Sequence, residues 1–192
     1  MKAGSLEEYN KKRDFTVTGE PEGTVGTSNE KPIFVIQKHA ARRLHYDFRI
    51  EHNGVLLSWA VPKGPSMDPS VKRLAVQTED HPMDYADFEG VIPEGEYGAG
   101  KVIVWDKGIF QNISVKNGQF IDLDAALEKG HLSIVVAGEK LKGGFTLVRT
   151  GKDQTQWLLI KMKDDYAIPE RDVIITENRP ESVVSGKRIT EL

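Results

Sequence analysis

From residue 33 onward the chain is a succession of short apolar runs separated by turns. "IFVIQ" (33–37) reads as a strand. "LHYDFRI" (44–50) alternates apolar and polar positions, and "VLLSWAV" (55–61) follows it across "EHNG" (51–54), which predicts a hairpin. "RLAVQT" (73–78), "KVIVWD" (101–106), "HLSIVVAG" (131–138), "FTLVRT" (145–150) and "WLLIKM" (157–162) continue the series, with turns at "GEKLKGG" (138–144) and "TGKDQ" (150–154). The one fair helix pattern is "DLDAALEKG" (122–130), which has an Asp cap, a short Ala/Leu body and a stopping Gly. Many short strands with no βαβ rhythm and no internal repeat predict a mostly β fold, a compact antiparallel β-barrel with one or two short helices.

The two ends differ from this middle. "TVTGEPEGTVGTSNEKP" (16–32) is rich in Gly, Thr, Glu and Pro and reads as turns, so residues 1–30 form a loosely structured leader that Phe15 can dock. In the tail, 167–192, "DVII" is expected to add an edge strand and the rest to trail off or dock on the body. The expected organisation is an N-terminal segment (1–30), a barrel (31–165) and a C-terminal extension (166–192). Trp59, Trp105 and Trp157 lie inside apolar strands and read as core residues rather than base-stacking platforms.

Composition narrows the chemistry. A chain of 192 residues buries roughly 70% of its extended surface and needs no staples. With no cysteine, disulfides, thiolate chemistry and thiolate-bound zinc are excluded, and any metal must sit on His, Asp, Glu or backbone oxygen. The start has no apolar core of signal-peptide type, and no run approaches the roughly 18 apolar residues of a membrane span. These absences predict a soluble cytoplasmic protein without a membrane partner. The net charge of −3 argues against nucleic-acid binding by bulk charge, but charge is uneven. "KHAARRLHYDFR" (38–49) is basic and "TEDHPMDYADFEGVIPEGE" (78–96) is acidic, so a local positive cleft on an acidic shell is possible.

That basic stretch carries the candidate chemistry. Side chains alternate along a strand, so Leu44, Tyr46, Phe48 and Ile50 face one way and His45, Asp47 and Arg49 the other, each roughly 7 Å from the next. The polar face has no neutral filler. His39 lies six residues before His45, and a turn at "AARR" would fold it back as a third ligand. Two histidines and one carboxylate with open positions suit a divalent ion that also binds substrate, manganese or zinc by donor type. A surface histidine at His45 and a plain Asp47–Arg49 salt bridge are the bland readings of the same residues. Lys63, stiffened between Pro62 and Pro65, can neutralise a phosphate oxygen. His81, before Pro82, can protonate a leaving oxygen or hold a phosphate. "PEGEYGAG" (93–100) has no lysine at the position a P-loop requires and reads as a tight turn region near the active face.

"FVIQKHAARRLHYDFRIEHNGVLLSWAVPKGPS", "KRLAVQTEDHPMDYADFEGVIPEGEYGAGKVIVWDKG" and "GEKLKGGFTLVR…WLLIK" closely resemble the DNA repair 3′-phosphoesterase family, over roughly residues 10–165. This domain stands at the N-terminus of bacterial ATP-dependent DNA ligase D and also occurs free-standing. The resemblance implies a compact β-barrel and a manganese-dependent enzyme. Such an enzyme removes a 3′-terminal ribonucleoside from a DNA primer strand, then hydrolyses the remaining 3′-phosphate to a 3′-hydroxyl. It implies metal ligands at His39, His45 and Asp47, and phosphate-contacting groups at Arg49, Lys63 and His81. Supporting or substrate-facing positions fall on Arg13, Asp14, Glu20, Arg73, Glu79 and Tyr85, which makes "KRDFTVTGEP" (12–21) a flap over the site. Glu20 or Arg13 is the expected reader of the ribose 2′-hydroxyl. "RPESVVSGKRITEL" (179–192) resembles the connector into a ligase domain, so the resemblance implies a free-standing enzyme that meets polymerase and ligase in trans.

Two other readings fit the residues. One is a metal phosphodiesterase of small or cyclic nucleotides, which the acidic surface suits. The other is a non-catalytic adaptor that captures DNA 3′ ends and has no need of metal ligands.

Overall fold

The computed structural model describes residues 5–192. Its elements in chain order are α1 (Glu7–Lys11), β1 (Ile33–Ala40), β2 (Leu44–His52), β3 (Val55–Val61) and β4 (Lys72–Pro82), then a 3-10 turn (Met83–Asp87). β5 (Gly90–Ile92), β6 (Gly100–Asn112), β7 (Val115–Lys116), β8 (Gln119–Phe120) and α2 (Leu123–Lys129) follow. The chain continues through β9 (His131–Gly138), β10 (Lys142–Arg149), β11 (Gln156–Lys161) and α3 (Ile175–Asn178) to a final 3-10 turn (Ile189–Glu191). No helix among the described residues is long and apolar enough to cross a membrane.

Eight strands close in the order β1-β2-β3-β4-β11-β10-β9-β6, and β6 pairs back onto β1, every pairing antiparallel. Closure removes the free edges that an open sheet would expose. The expected β-barrel is therefore present, with three short α-helices among the described residues rather than one or two. Its interior follows from the alternation along the strands. Phe34, Phe48, Trp59 and Trp157 form a run of rings with centroids 6.3, 6.4 and 5.9 Å apart, all buried, and Trp105 meets Tyr46 at 5.5 Å. All three tryptophans are core, as their strands implied.

Local chemistry sets the turns. The β2–β3 hairpin turns on Asn53 and Gly54, at φ 50° and 77°, the left-handed pair that a two-residue loop requires. Gly54 also admits the N-terminal segment, because a Cβ there would lie 2.1 Å from the Gly26 carbonyl oxygen. α2 begins where Asp122 accepts from the Ala125 amide at 2.8 Å and ends at Gly130, φ 74°, matching the reading of 122–130.

Both ends pack on the barrel. From Ser5 onward the leader packs against the barrel rather than trailing loose, and residues 1–4 lie outside the described residues. Tyr9 is fully buried and donates its hydroxyl to the Pro21 carbonyl at 2.7 Å, and Gly26 N–H donates to the Gly54 carbonyl at 2.8 Å. The C-terminal segment docks without the edge strand expected at "DVII". With β1 and β6 already paired there is no edge for it at the barrel seam, so 172–175 runs into α3 instead. Beyond α3, the Arg179 carbonyl accepts from Trp105 Nε1 at 2.7 Å and Lys140 Nζ at 3.0 Å, and Val183 N–H donates to the Val104 carbonyl.

Asp106 organises the β9–β10 turn from within. Its buried carboxylate accepts from the amides of Lys107, Glu139, Lys140 and Leu141 at 2.8–3.1 Å. Burial raises its pKa and the four amides only partly offset that. Removing the acceptor strands several buried N–H groups, each costing about 1–3 kcal/mol. Asp106→Ala should therefore lose at least about 3 kcal/mol of unfolding free energy in a urea titration; a loss under about 1 kcal/mol would show that water replaces the carboxylate.

Candidate functional site

The β1–β2 hairpin builds the centre of the site. Ala41, Arg42 and Arg43 turn the chain so that His39 pairs directly with His45, and Asp47 follows two residues along the same face. The two imidazole centroids are 4.7 Å apart. One ligand atom from each of His39, His45 and Asp47 can be chosen so that all lie within 4.8 Å of one another. His39 Nδ1 stands 3.7 Å from Asp47 Oδ2, and His45 Nε2 stands 3.6 Å from Asp47 Oδ1.

Backbone carbonyls set both tautomers. His39 donates Nε2–H to Gly98 O at 2.7 Å, and His45 donates Nδ1–H to Arg43 O at 2.9 Å. Each ring thereby turns its free nitrogen lone pair toward the Asp47 carboxylate. Two lone pairs and a carboxylate facing one another across gaps too long for hydrogen bonds have no positive charge between them. A divalent cation with mixed N/O preference satisfies all three, so the donor set fits a metal.

Asp47 is nearly fully buried. Burial opposes its ionisation, but Arg49, with the two histidines, overcomes it and holds its pKa well below the ordinary value. Arg49 Nη2 lies 3.1 Å from Asp47 Oδ2, its Nε donates to Gln37 Oε1 at 2.8 Å and its Nη1 to Ser58 Oγ at 2.8 Å. Gln37 is anchored in turn, donating to the Tyr85 and Phe88 carbonyls at 2.8 and 3.0 Å. Three of the five guanidinium N–H groups are thus committed, and two remain for an anion.

β4 contributes through a bulge. Leu56 pairs with His81 but Ser58 with Thr78, so β4 carries one extra residue and Thr78, Glu79 and His81 all line the same cavity. His81 packs edge-on against Tyr9 and Tyr85, donates Nδ1–H to the Glu79 carbonyl at 3.0 Å, and points Nε2 at Arg13 Nη2, 3.4 Å away. Burial, then the charges of Arg49 and Arg13, pushes its pKa well below the ordinary value. His81 is a neutral acceptor in the free protein, not an imidazolium.

The N-terminal segment roofs this face. Arg13 donates Nε to Glu20 Oε1 at 2.9 Å and Nη1 to the Tyr9 carbonyl at 3.1 Å, and lies 3.6 Å from Glu79. Glu20 also accepts from Tyr85 Oη and Thr18 Oγ, both at 2.9 Å. Its side chain is wholly buried and both oxygens are engaged, so it braces Arg13 and Tyr85 rather than facing a ribose hydroxyl. The cavity of about 270 Å³ is lined by Arg13, His39, His45, Asp47, Arg49, Glu79, His81 and Tyr85 among others.

Three expected residues are elsewhere. Lys63 is exposed after β3 and does not line the cavity. Arg73 is held by Glu170 of the C-terminal segment at 2.5 Å. Asp14 is exposed and closes its own turn by accepting from Thr16 N and Oγ. Gln37, Ser58 and Tyr97 belong to the site and were not singled out. Gln37 carried a signal, being a polar residue in an apolar strand on the face of Asp47.

The fold and site together define a β-barrel with a candidate cation centre beside a buried arginine–histidine cluster. The family model of the DNA Ligase D 3′-phosphoesterase domain matches residues 37–149, and the chain belongs to that family. It is 51% identical over 189 residues to the multifunctional non-homologous end joining protein LigD of Pseudomonas aeruginosa, covering 96% of this chain and 22% of that protein. It is 39% identical over 192 residues to the corresponding DNA repair protein LigD of Mycobacterium tuberculosis, covering 98% and 24%. With the LigD protein of Mycolicibacterium smegmatis the identity is 43% over 164 residues, covering 84% and 21%. The chain thus spans about a quarter or less of the length of these relatives.

A proton competes for the cation centre. Burial lowers the His45 pKa, but the contacts to Asp47 outweigh it and leave it raised. Protonated His45 has no lone pair for a ligand, so divalent-ion affinity should be full above that raised pKa and fall as pH drops through it. Calorimetric titration with Mn²⁺ between pH 5 and 8 should show weakening toward acid with proton release on binding; affinity independent of pH, or unchanged in His45→Ala, would place the ion elsewhere.

Proposed function

We propose that this chain heals blocked DNA 3′ ends by hydrolysis, with a divalent ion, manganese in the first instance, held by His39, His45 and Asp47. The observation that carries the reading is the convergence of this N,N,O donor set, a locked Arg49 and a neutral His81 in one small cavity. Membership of the 3′-phosphoesterase domain family supports hydrolysis at a phosphate. The names of the relatives support a role in non-homologous end joining.

The substrate is a DNA strand carrying a 3′-terminal ribonucleoside or a 3′-phosphate. An ion held by His39, His45 and Asp47 would supply charge stabilisation to the phosphate. Arg49 offers its two uncommitted N–H groups to the phosphate and offsets charge that builds in the transition state. Gln37, Ser58 and Asp47 hold the guanidinium in place, so no reorganisation is needed when substrate arrives. His81 accepts the proton of the attacking water at Nε2 as the new P–O bond forms and later returns it to solvent, while the leaving oxygen takes a proton from solvent water as the old P–O bond breaks. In the first step that oxygen is the 5′ oxygen of the ribonucleoside, leaving a 3′-phosphate. In the second it is the 3′ oxygen of the shortened strand, leaving a 3′-hydroxyl and free phosphate. Polymerase and ligase act on the healed end in trans or from elsewhere in the same assembly.

The test is an end-group assay on a 5′-labelled primer with one 3′ ribonucleotide, annealed to a template, with Mn²⁺. A shortened 3′-phosphate strand should appear first and the 3′-hydroxyl strand second, with neither formed in EDTA or by His45→Ala. Arg49→Lys keeps the charge but loses the fork, and should slow both steps by roughly 10²–10³. Turnover of cyclic or free nucleotides in preference to the primer would replace the reading with a small-nucleotide phosphodiesterase. End binding without cleavage would leave an adaptor.

A further inference from the structure

The cavity of about 270 Å³ adjoins a larger one of about 1130 Å³, and the two share Ala41, His45, Tyr97 and Gly98. The inner cavity is at the small end of ligand pockets, large enough for a terminal phosphate and the nucleoside it carries but not for a run of nucleotides. The rest of the strand must lie outside it, and the outer cavity adjoins the centre at His45.

The walls of the outer cavity differ in chemistry. One is the β1–β2 turn, where Arg42 and Arg43 are exposed and neither forms an ion pair among the described residues. The other is the glycine-rich loop 94–99, which presents Tyr97 at 47% exposure. Lys12 Nζ sits 4.8 Å from the Tyr97 ring centroid, but Glu8 at 2.8 Å and Glu79 at 3.3 Å already offset its charge. Glu94 and Glu96 lie on the tyrosine wall and repel phosphate toward the arginines. Two guanidinium groups without ion pairs and an exposed aromatic ring lining one cavity are the elements that track a single nucleic-acid strand, phosphates on the cations and bases on the ring.

We propose that the outer cavity binds the last nucleotides of a single DNA strand whose 3′ end occupies the inner cavity. Its phosphates lie on Arg42 and Arg43, and a base stacks on Tyr97. This rests on the end-healing reading above. The contact of Arg43 with His45 is made by its backbone carbonyl, which a side-chain substitution leaves in place.

The test compares two substrates that share one reacting group, a 3′-phosphorylated DNA of about a dozen nucleotides and thymidine 3′-phosphate. In the double variant Arg42→Ala/Arg43→Ala, KM for the oligonucleotide should rise about tenfold or more, with kcat within about twofold. KM for thymidine 3′-phosphate should not move. The salt dependence of the oligonucleotide KM should lose about 1.4 in log–log slope, the value for two phosphate contacts on a single strand. Tyr97→Leu should raise the oligonucleotide KM while Tyr97→Phe should not. Equal changes on both substrates, or none on either, would overturn the proposal. If the wild-type protein hydrolyses neither substrate, nor the annealed primer of the end-group assay, the end-healing reading fails by itself. Fluorescence anisotropy of a labelled single strand then decides: weaker binding by the double variant retains the groove, and equal binding removes it.

Discussion

A carboxylate out of water is strongly unfavourable unless charge and hydrogen bonds replace its hydration, and Asp47 is such a carboxylate. Its ion pair with Arg49 is the contact on which the rest of the site depends. With Arg49 in place, Asp47 stays ionised despite burial and can act as the anionic member of a cation centre. Removing either partner leaves an uncompensated buried charge, a loss of about 3–5 kcal/mol in comparable pairs. The pair sits on one face of β2, while the opposite face supplies Phe48 to the barrel interior. The strand that builds the core and the strand that builds the chemistry are the same strand.

Around that pair the polar groups are arranged in layers. Gln37 and Ser58 hold Arg49 from β1 and β3, and Gln37 is itself tied to the backbone at Tyr85 and Phe88. Glu20 holds Arg13 and Tyr85 from the N-terminal segment. The consequence for His81 is electrostatic. Enclosed by tyrosines and near two guanidinium groups, its imidazole is held toward the neutral form.

Much of this was legible locally. The alternation of 44–50 assigned His45, Asp47 and Arg49 to one face, and a short turn sufficed to return His39 to them. The caps of 122–130 marked α2, and the Asn53–Gly54 turn marked the hairpin. Other assignments did not follow from pattern. Lys63 lies close in sequence to β3, but nothing in "VPKGP" says which way its side chain turns, and it turns to solvent. Arg73 lies on β4 but is claimed by Glu170, almost a hundred residues away. "DVII" has strand-like composition, yet the closed barrel leaves no seam for it.

The residue sequence alone determined the main strands, their inward faces, several of the turns between neighbours and the grouping of His39, His45 and Asp47 on one hairpin. Each of these depends on groups a few residues apart, and backbone geometry makes such relations periodic and readable. Tertiary structure decided the closure of β1 on β6, the β4 bulge and the roof laid by the N-terminal segment. It also decided the tautomer of His39, which a carbonyl 59 residues along the chain selects. Arg13 meets His81 across 68 residues and Glu20 meets Tyr85 across 65. Such pairs form because folding buries polar groups that must then find partners, and which partners are within reach is set only once the barrel has closed.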